Sequence, residues 1–141
     1  MPWRPRNETD LDLQRELEAA SKIEREWNVE HLKLGEVSYR VDWAFFRHSN
    51  LVGFGEFRWR AKQYDTLLLG ASKWMKMCDI TAKMNVPVCL FLHWDGIGLH
   101  YYRVDPLASL QVVKGGGHRG QNGDIEPVVL IPISEFKFLA D

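Results

Sequence analysis

The stretch Val37-Ser-Tyr-Arg-Val-Asp-Trp-Ala-Phe-Phe-Arg47, then His48-Ser49-Asn50, then Leu51-Val-Gly-Phe-Gly-Glu-Phe-Arg-Trp-Arg60 reads as one β-hairpin. Two runs rich in aromatic and β-branched residues flank a short polar connection. The connection reads as a three-residue loop in which Asn50 takes the left-handed conformation. With that loop, Asp42 lies opposite Glu56 and Arg40 lies opposite Arg58. Directly opposed side chains have β-carbons roughly 4.5–5.5 Å apart, and like charges there repel. A shared divalent cation accounts for such a carboxylate pair, because hard ions such as magnesium take oxygen ligands and complete their shell with water and phosphate. The alternative is a solvated lattice of Asp42, Arg40, Glu56 and Arg58, in which each exposed ion pair contributes little.

Working outward, a helix is predicted from Thr9 or Asp10 to Trp27, with an N-cap residue and acids in its first turn. Leu13, Leu17, Ala20 and Trp27 form its apolar stripe, with Glu24 inside the stripe and Glu16 on its shoulder. After the hairpin a second helix is predicted over Tyr64–Met84, burying Leu67, Ala71, Trp74, Met75, Cys78 and Ala82. Lys62, Lys73, Lys76 and Lys83 gather on its other side, and Asn85-Val86-Pro87 ends it. Val88–Trp94 is a continuous apolar run, the pattern of a strand covered on both faces. Asp95-Gly96 turns the chain into a strand over Leu99–Val104, and a last strand covers Val128–Ile133. The passage from Arg60 through a long helix to Val88 is a crossover, which predicts a mixed sheet flanked by helices.

The 141 residues suit one domain, 1–141, with a loose arm at 1–8 and a flexible Gly-rich loop at 114–124. Hydrophobic content of 45% and charged content of 26% are ordinary for a soluble globular protein. No apolar run is long enough to span a membrane, and Met1-Pro-Trp-Arg-Pro-Arg is not a signal peptide, so a cytoplasmic protein with no membrane partner is expected. Cys78 and Cys89 have no CxxC partner and read as reduced core thiols. A net charge of −1 means that any polyanion must be held by local basic patches.

The five histidines lack metal-ligand spacing, which argues against zinc, and His93 reads as a hydrogen-bonded core residue. Trp43 and Trp59 are candidate stacking platforms for a base if exposed. The Gly-rich loop lacks the Gly-Lys-Ser/Thr ending of a phosphate-binding loop.

Val41-Asp42 on one strand and Glu56-Phe57-Arg58 on the next, within this order of elements, resemble the PD-(D/E)XK nuclease superfamily. That superfamily includes restriction-type endonucleases, archaeal Holliday-junction resolvases and many phage-encoded nucleases. The resemblance covers roughly residues 10 to 105 and departs from the pattern twice: Val41 stands where proline is usual, and Arg58 stands at the lysine of Glu-x-Lys. It implies an α/β fold with a restriction-endonuclease-like αβββαβ core. It also implies magnesium- or manganese-dependent hydrolysis of phosphodiester bonds in DNA. Asp42, Glu56 and Glu16 would be metal ligands, helped by the Phe57 carbonyl, with Glu24 as the alternative to Glu16 for the acid from the first helix. Arg58 and Lys73 would act on the phosphate and the attacking water, and Arg40, Arg60, Lys62 and Lys76 would hold the nucleic acid. A homodimer is left open. Because arginine does not give up its proton in proteins, Arg58 cannot be a general base. A rival reading follows, in which the fold is kept as a non-catalytic nucleic-acid-binding or assembly module.

Overall fold

The computed structural model describes residues 9–35, 40–115 and 126–141. Thr9 starts helix α1 (Asp10–Trp27) through a capping box: its hydroxyl accepts from the Asp12 N–H at 3.1 Å, and the Asp12 carboxylate accepts from the Thr9 N–H at 3.1 Å. Asn28, at φ 52°, ends the helix in the left-handed conformation. The buried stripe is Glu16, Ala19, Ala20 and Ile23, rotated from the predicted one, so that Leu17 is exposed.

Strands β1 (Glu30–Lys33), β2 (Trp43–Arg47) and β3 (Asn50–Arg60) form an antiparallel meander. The hairpin forms, with two differences from expectation. Its turn is the two residues His48-Ser49, at φ 51° and 65°, and Asn50 already pairs with Arg47 in β3. Two successive positive φ angles match the twist of the flanking strands, as in the tight turns that hairpins prefer. A bulge then adds one residue to β3, because Phe46 faces Leu51 while Phe45 faces Gly53. The shorter turn and the extra residue cancel, and Trp43 faces Gly55 in the predicted alignment. The first arm begins at Trp43 and not at Val37: Arg40 takes φ 66°, residues 40–42 form a bend, and residues 36–39 lie outside the described residues.

The predicted second helix is two elements. Thr66–Gly70 is strand β4, with Leu67 and Leu69 buried and Leu68 exposed, a period of two that only a strand satisfies. Helix α2 (Ala71–Met84) follows and stops at Asn85, at φ 54°. A helix that starts at Ala71 presents a different face from the predicted one, and Met75 and Ala82 are exposed while Met77 is the fully buried residue. Strands β5 (Val88–Trp94) and β6 (Gly98–Arg103) were expected, the latter ending one residue earlier. Strand β7 (Gln111–Lys114), a 3-10 turn (Ile133–Glu135) and β9 (Lys137–Ala140) were not, and β8 (Pro127–Pro132) is the last predicted strand moved by one residue. Lys114 thus closes a strand, while most of the predicted Gly-rich loop and the arm at 1–8 lie outside the described residues.

The large sheet runs β1-β2-β3-β5-β6-β9, parallel only between β3 and β5, as the crossover requires. A second sheet, β4-β8-β7, is antiparallel. The αβββαβ core is therefore present, with β4 inserted before α2. Ala19, Ala20 and Ile23 of α1 join Trp43, Phe45, Cys89 and Phe91 in one core cluster. Leu67, Leu69 and Met77 join Phe54, Leu90 and Leu92 in the other. Both cysteines are free, and burial pushes the Cys89 thiol up to about 12. No helix among the described residues is long and apolar enough to cross a membrane.

Candidate active site

Strand β3 outruns β2. Its last residue paired with β2 is Gly55, opposite Trp43, while Glu56 to Arg60 continue alongside β5 alone. Among the described residues no strand pairs with β3 on its β2 edge beyond Gly55, where residues 40–42 bend. Asp42 fills the start of that edge twice over. Its N–H donates to the Gly55 carbonyl at 3.1 Å, and its Oδ2 accepts from the Phe57 N–H at 2.8 Å. A side-chain oxygen thus replaces the strand carbonyl that would otherwise satisfy Phe57.

Asp42 and Glu56 line one cavity of ≈ 370 Å³, together with Glu16 and Asp12 from α1 and Lys73 from α2. Arg58 and Arg60 of β3 line it as well, as do Arg15 and Trp59. Glu56 is 2% exposed and Glu16 7%, the only buried charged residues among those described. Burial first, then the Glu56 charge, pushes the Asp42 carboxyl up to about 7; the Phe57 N–H and Arg58 work against this, and Glu16 adds to it.

Each acid has a different partner. Glu16 accepts from the Lys33 ammonium at both oxygens, 2.7 Å each. Glu56 Oε2 accepts from Arg58 Nη1 and lies 3.4 Å from the Lys73 ammonium, which also donates to the Arg40 carbonyl. Glu56 Oε1 is buried with no hydrogen-bond partner among the described residues. Arg58 Nη1 donates as well to the Phe57 carbonyl at 3.0 Å, the backbone oxygen expected to help a metal.

Lys73 therefore reaches the site from the first turn of α2 even though that helix starts later than predicted. Arg60 lines the cavity and donates to the Trp59 carbonyl at 2.8 Å. Lys62 and Lys76 do not line it, and Arg40 contributes its carbonyl. Glu24 lies elsewhere: it accepts from the His31 backbone N–H at 3.0 Å and contacts the His31 ring at 2.8 Å, tying α1 to β1. Trp43 is 1% exposed and cannot stack on a base. Trp59 carries the Arg15 guanidinium 3.5 Å above its ring, a contact missed in the sequence because it joins α1 to β3 across 44 positions with no motif. His93 is half-buried, and its Nδ1 has no hydrogen-bond partner among the described residues.

Among the described residues no group of three or more His, Cys, Asp or Glu side chains is arranged to hold a metal. The donors that are present nevertheless fit a hard cation: two carboxylates, one of them buried with an oxygen that no described residue bonds.

No curated protein matches the chain. Among solved structures, Archaeoglobus fulgidus Hjc, a Holliday junction resolvase from an archaeal hyperthermophile, superposes with a TM-score of 0.54 over 86% of this chain and 81% of that one. At 12% identity the likeness establishes the restriction-endonuclease-like fold and nothing finer. Residues 2–139, nearly the whole chain, match the family described as "Phage putative PDDEXK endonuclease", and the chain belongs to that family.

Proposed function

We propose that the chain is a magnesium- or manganese-dependent nuclease that hydrolyses phosphodiester bonds in DNA at the cavity between α1, β3 and α2. The observation that carries this reading is Glu56: a carboxylate 2% exposed, one oxygen without a partner among the described residues, beside an Asp42 that resists ionisation. Unrelieved, that arrangement is costly, and a divalent ion relieves both parts of it. Asp42 and Glu56 would hold the ion, which when bound lowers the pKa of water and stabilises charge on phosphoryl oxygens. Phe57, through its N–H, fixes the Asp42 carboxylate in place. Arg58 and Arg60 bind the phosphate, for which a guanidinium fork is well shaped. Lys73, held between Glu56 and the Arg40 carbonyl, orients the attacking water and supplies the positive charge that the missing Glu-x-Lys lysine would have supplied. Glu16, already held by Lys33, is an electrostatic neighbour of Asp42.

A second reading has its own observation. Arg58 occupies Glu56 Oε2 and the Phe57 carbonyl, which suits a fold that binds DNA without cutting it. The two readings separate when linear and branched DNA are incubated with the purified chain in magnesium or manganese. The nuclease reading expects strand cleavage by wild type and none by Glu56→Ala. A wild type that retains DNA and leaves it intact under either metal supports the binder.

A further inference from the structure

Two oxygens expected of a metal site, Glu56 Oε2 and the Phe57 carbonyl, both accept from one nitrogen, Arg58 Nη1. A guanidinium stays charged at any physiological pH, so the site carries its own cation on those oxygens. The Arg58 side chain is 26% exposed and that of Glu56 3%, so the arginine has a path to solvent and the carboxylate does not. Lys73, 3.4 Å from the same oxygen, keeps Glu56 near a positive charge when the guanidinium leaves. The exchange therefore avoids the cost of a buried, uncompensated carboxylate.

We propose that Arg58 is an exchangeable internal cation: it blocks shared metal binding by Asp42 and Glu56 in the free protein, and the phosphates of bound nucleic acid draw it away. The proposal rests on the nuclease reading and adds a coupling to it. Metal binds weakly until nucleic acid is present, and by linkage metal tightens nucleic-acid binding by the same factor. A bidentate phosphate is a better partner for the arginine than a carboxylate oxygen shared with Lys73. Arg58 is thus a positioning residue for the metal as well as a phosphate contact, and lysine at this place, with one compact ammonium, lacks the fork that spans a partner oxygen and a phosphate.

The test is a manganese titration followed by the paramagnetic resonance signal of the free ion, on the full chain, with and without a short DNA duplex, corrected for manganese bound by the duplex alone. Arg58→Met keeps the stem and removes the charge. Without DNA it should bind manganese about ten- to a hundredfold more tightly than wild type, the range expected for losing a charge-assisted bond to a ligand. DNA should tighten wild type by a clearly larger factor than Arg58→Met, whose site gains only the phosphate ligand. Equal affinities without DNA overturn the proposal, as does a wild type indifferent to DNA, and that second arm needs no variant to fold. Those results leave the nuclease reading intact if manganese still binds and Asp42→Asn abolishes the binding. No saturable binding by either protein in either condition defeats the nuclease reading and the coupling together.

Discussion

The backbone N–H of Phe57 donates to Asp42 Oδ2 at 2.8 Å, and this bond holds a carboxylate against its own electrostatics. Asp42 sits beside Glu56 at the edge of β3, where burial and repulsion raise its carboxyl to about 7 from an ordinary value near 3.8. The folded state therefore binds this proton more tightly than the unfolded state does. Between those two values the native protein holds the proton that the unfolded chain has lost, so stability falls as pH rises through that window and levels off above about 7.

Asp42→Asn removes that penalty. Without metal, chemical denaturation should find Asp42→Asn more stable than wild type at pH 8, by up to ~4 kcal/mol, with the advantage shrinking towards pH 4. Divalent metal should reverse the order, and wild-type affinity for it should rise with pH through about 7. A wild-type stability profile parallel to that of Asp42→Asn contradicts the assignment.

Gly55 sets how closely β3 passes under the aromatic core just before Glu56. A β-carbon there would lie 2.8 Å from ring atoms of both Phe45 and Phe91. Gly55→Ala should cost about 1–3 kcal/mol, the range for overpacking, and should weaken metal binding because Glu56 moves with the strand. Denaturation and a metal titration on one preparation check both parts.

Glu24 ties α1 to β1 and does not line the cavity. The His31 backbone N–H, with the His31 ring, holds its carboxyl below the usual range although partial burial opposes this. Its contribution is present above the unfolded carboxylate pKa and is lost as pH falls through the lower folded value. Glu24→Gln should lower the melting temperature at pH 7, with a difference that fades in acid, and should leave the rate of DNA cleavage unchanged. A cleavage defect at full stability would return Glu24 to the site.

Much of this was readable from residue order alone. The facing of Trp43 and Gly55, and with it the neighbourhood of Asp42 and Glu56, follows from the alternation of the two hairpin arms. The alignment holds with a turn one residue shorter than the sequence suggests, because Val52 adds a residue to β3. Strand β4 was hidden because Thr66-Leu-Leu-Leu is too short an apolar run to distinguish period two from a helix face, and its partner β8 lies some sixty residues away. The clamp of Lys33 on Glu16 and the Arg15 guanidinium over Trp59 were beyond reach for the same reason: both join elements through space, and neither leaves a spacing in the chain.

The role proposed for Arg58 extends to the rate of cleavage. As a contact to transition-state charge, its removal in Arg58→Ala should slow cleavage ~10²–10³-fold, the scale for one positioned donor, while leaving most DNA affinity. Arg58→Lys should remain active. Single-turnover rates at saturating metal separate this loss from any change in metal affinity, and an undiminished rate in Arg58→Ala would remove the residue from the chemistry.

The claim that Asp42 and Glu56 share a divalent ion is tested most directly by anomalous diffraction from crystals of the chain with a DNA oligonucleotide, soaked in manganese. The account predicts an anomalous peak between the two carboxylates, within ~2.5 Å of an oxygen of each, with Arg58 Nη1 off Glu56 and on a phosphate. Crystals showing manganese elsewhere on the chain and none between Asp42 and Glu56, with Arg58 still on Glu56, would contradict it.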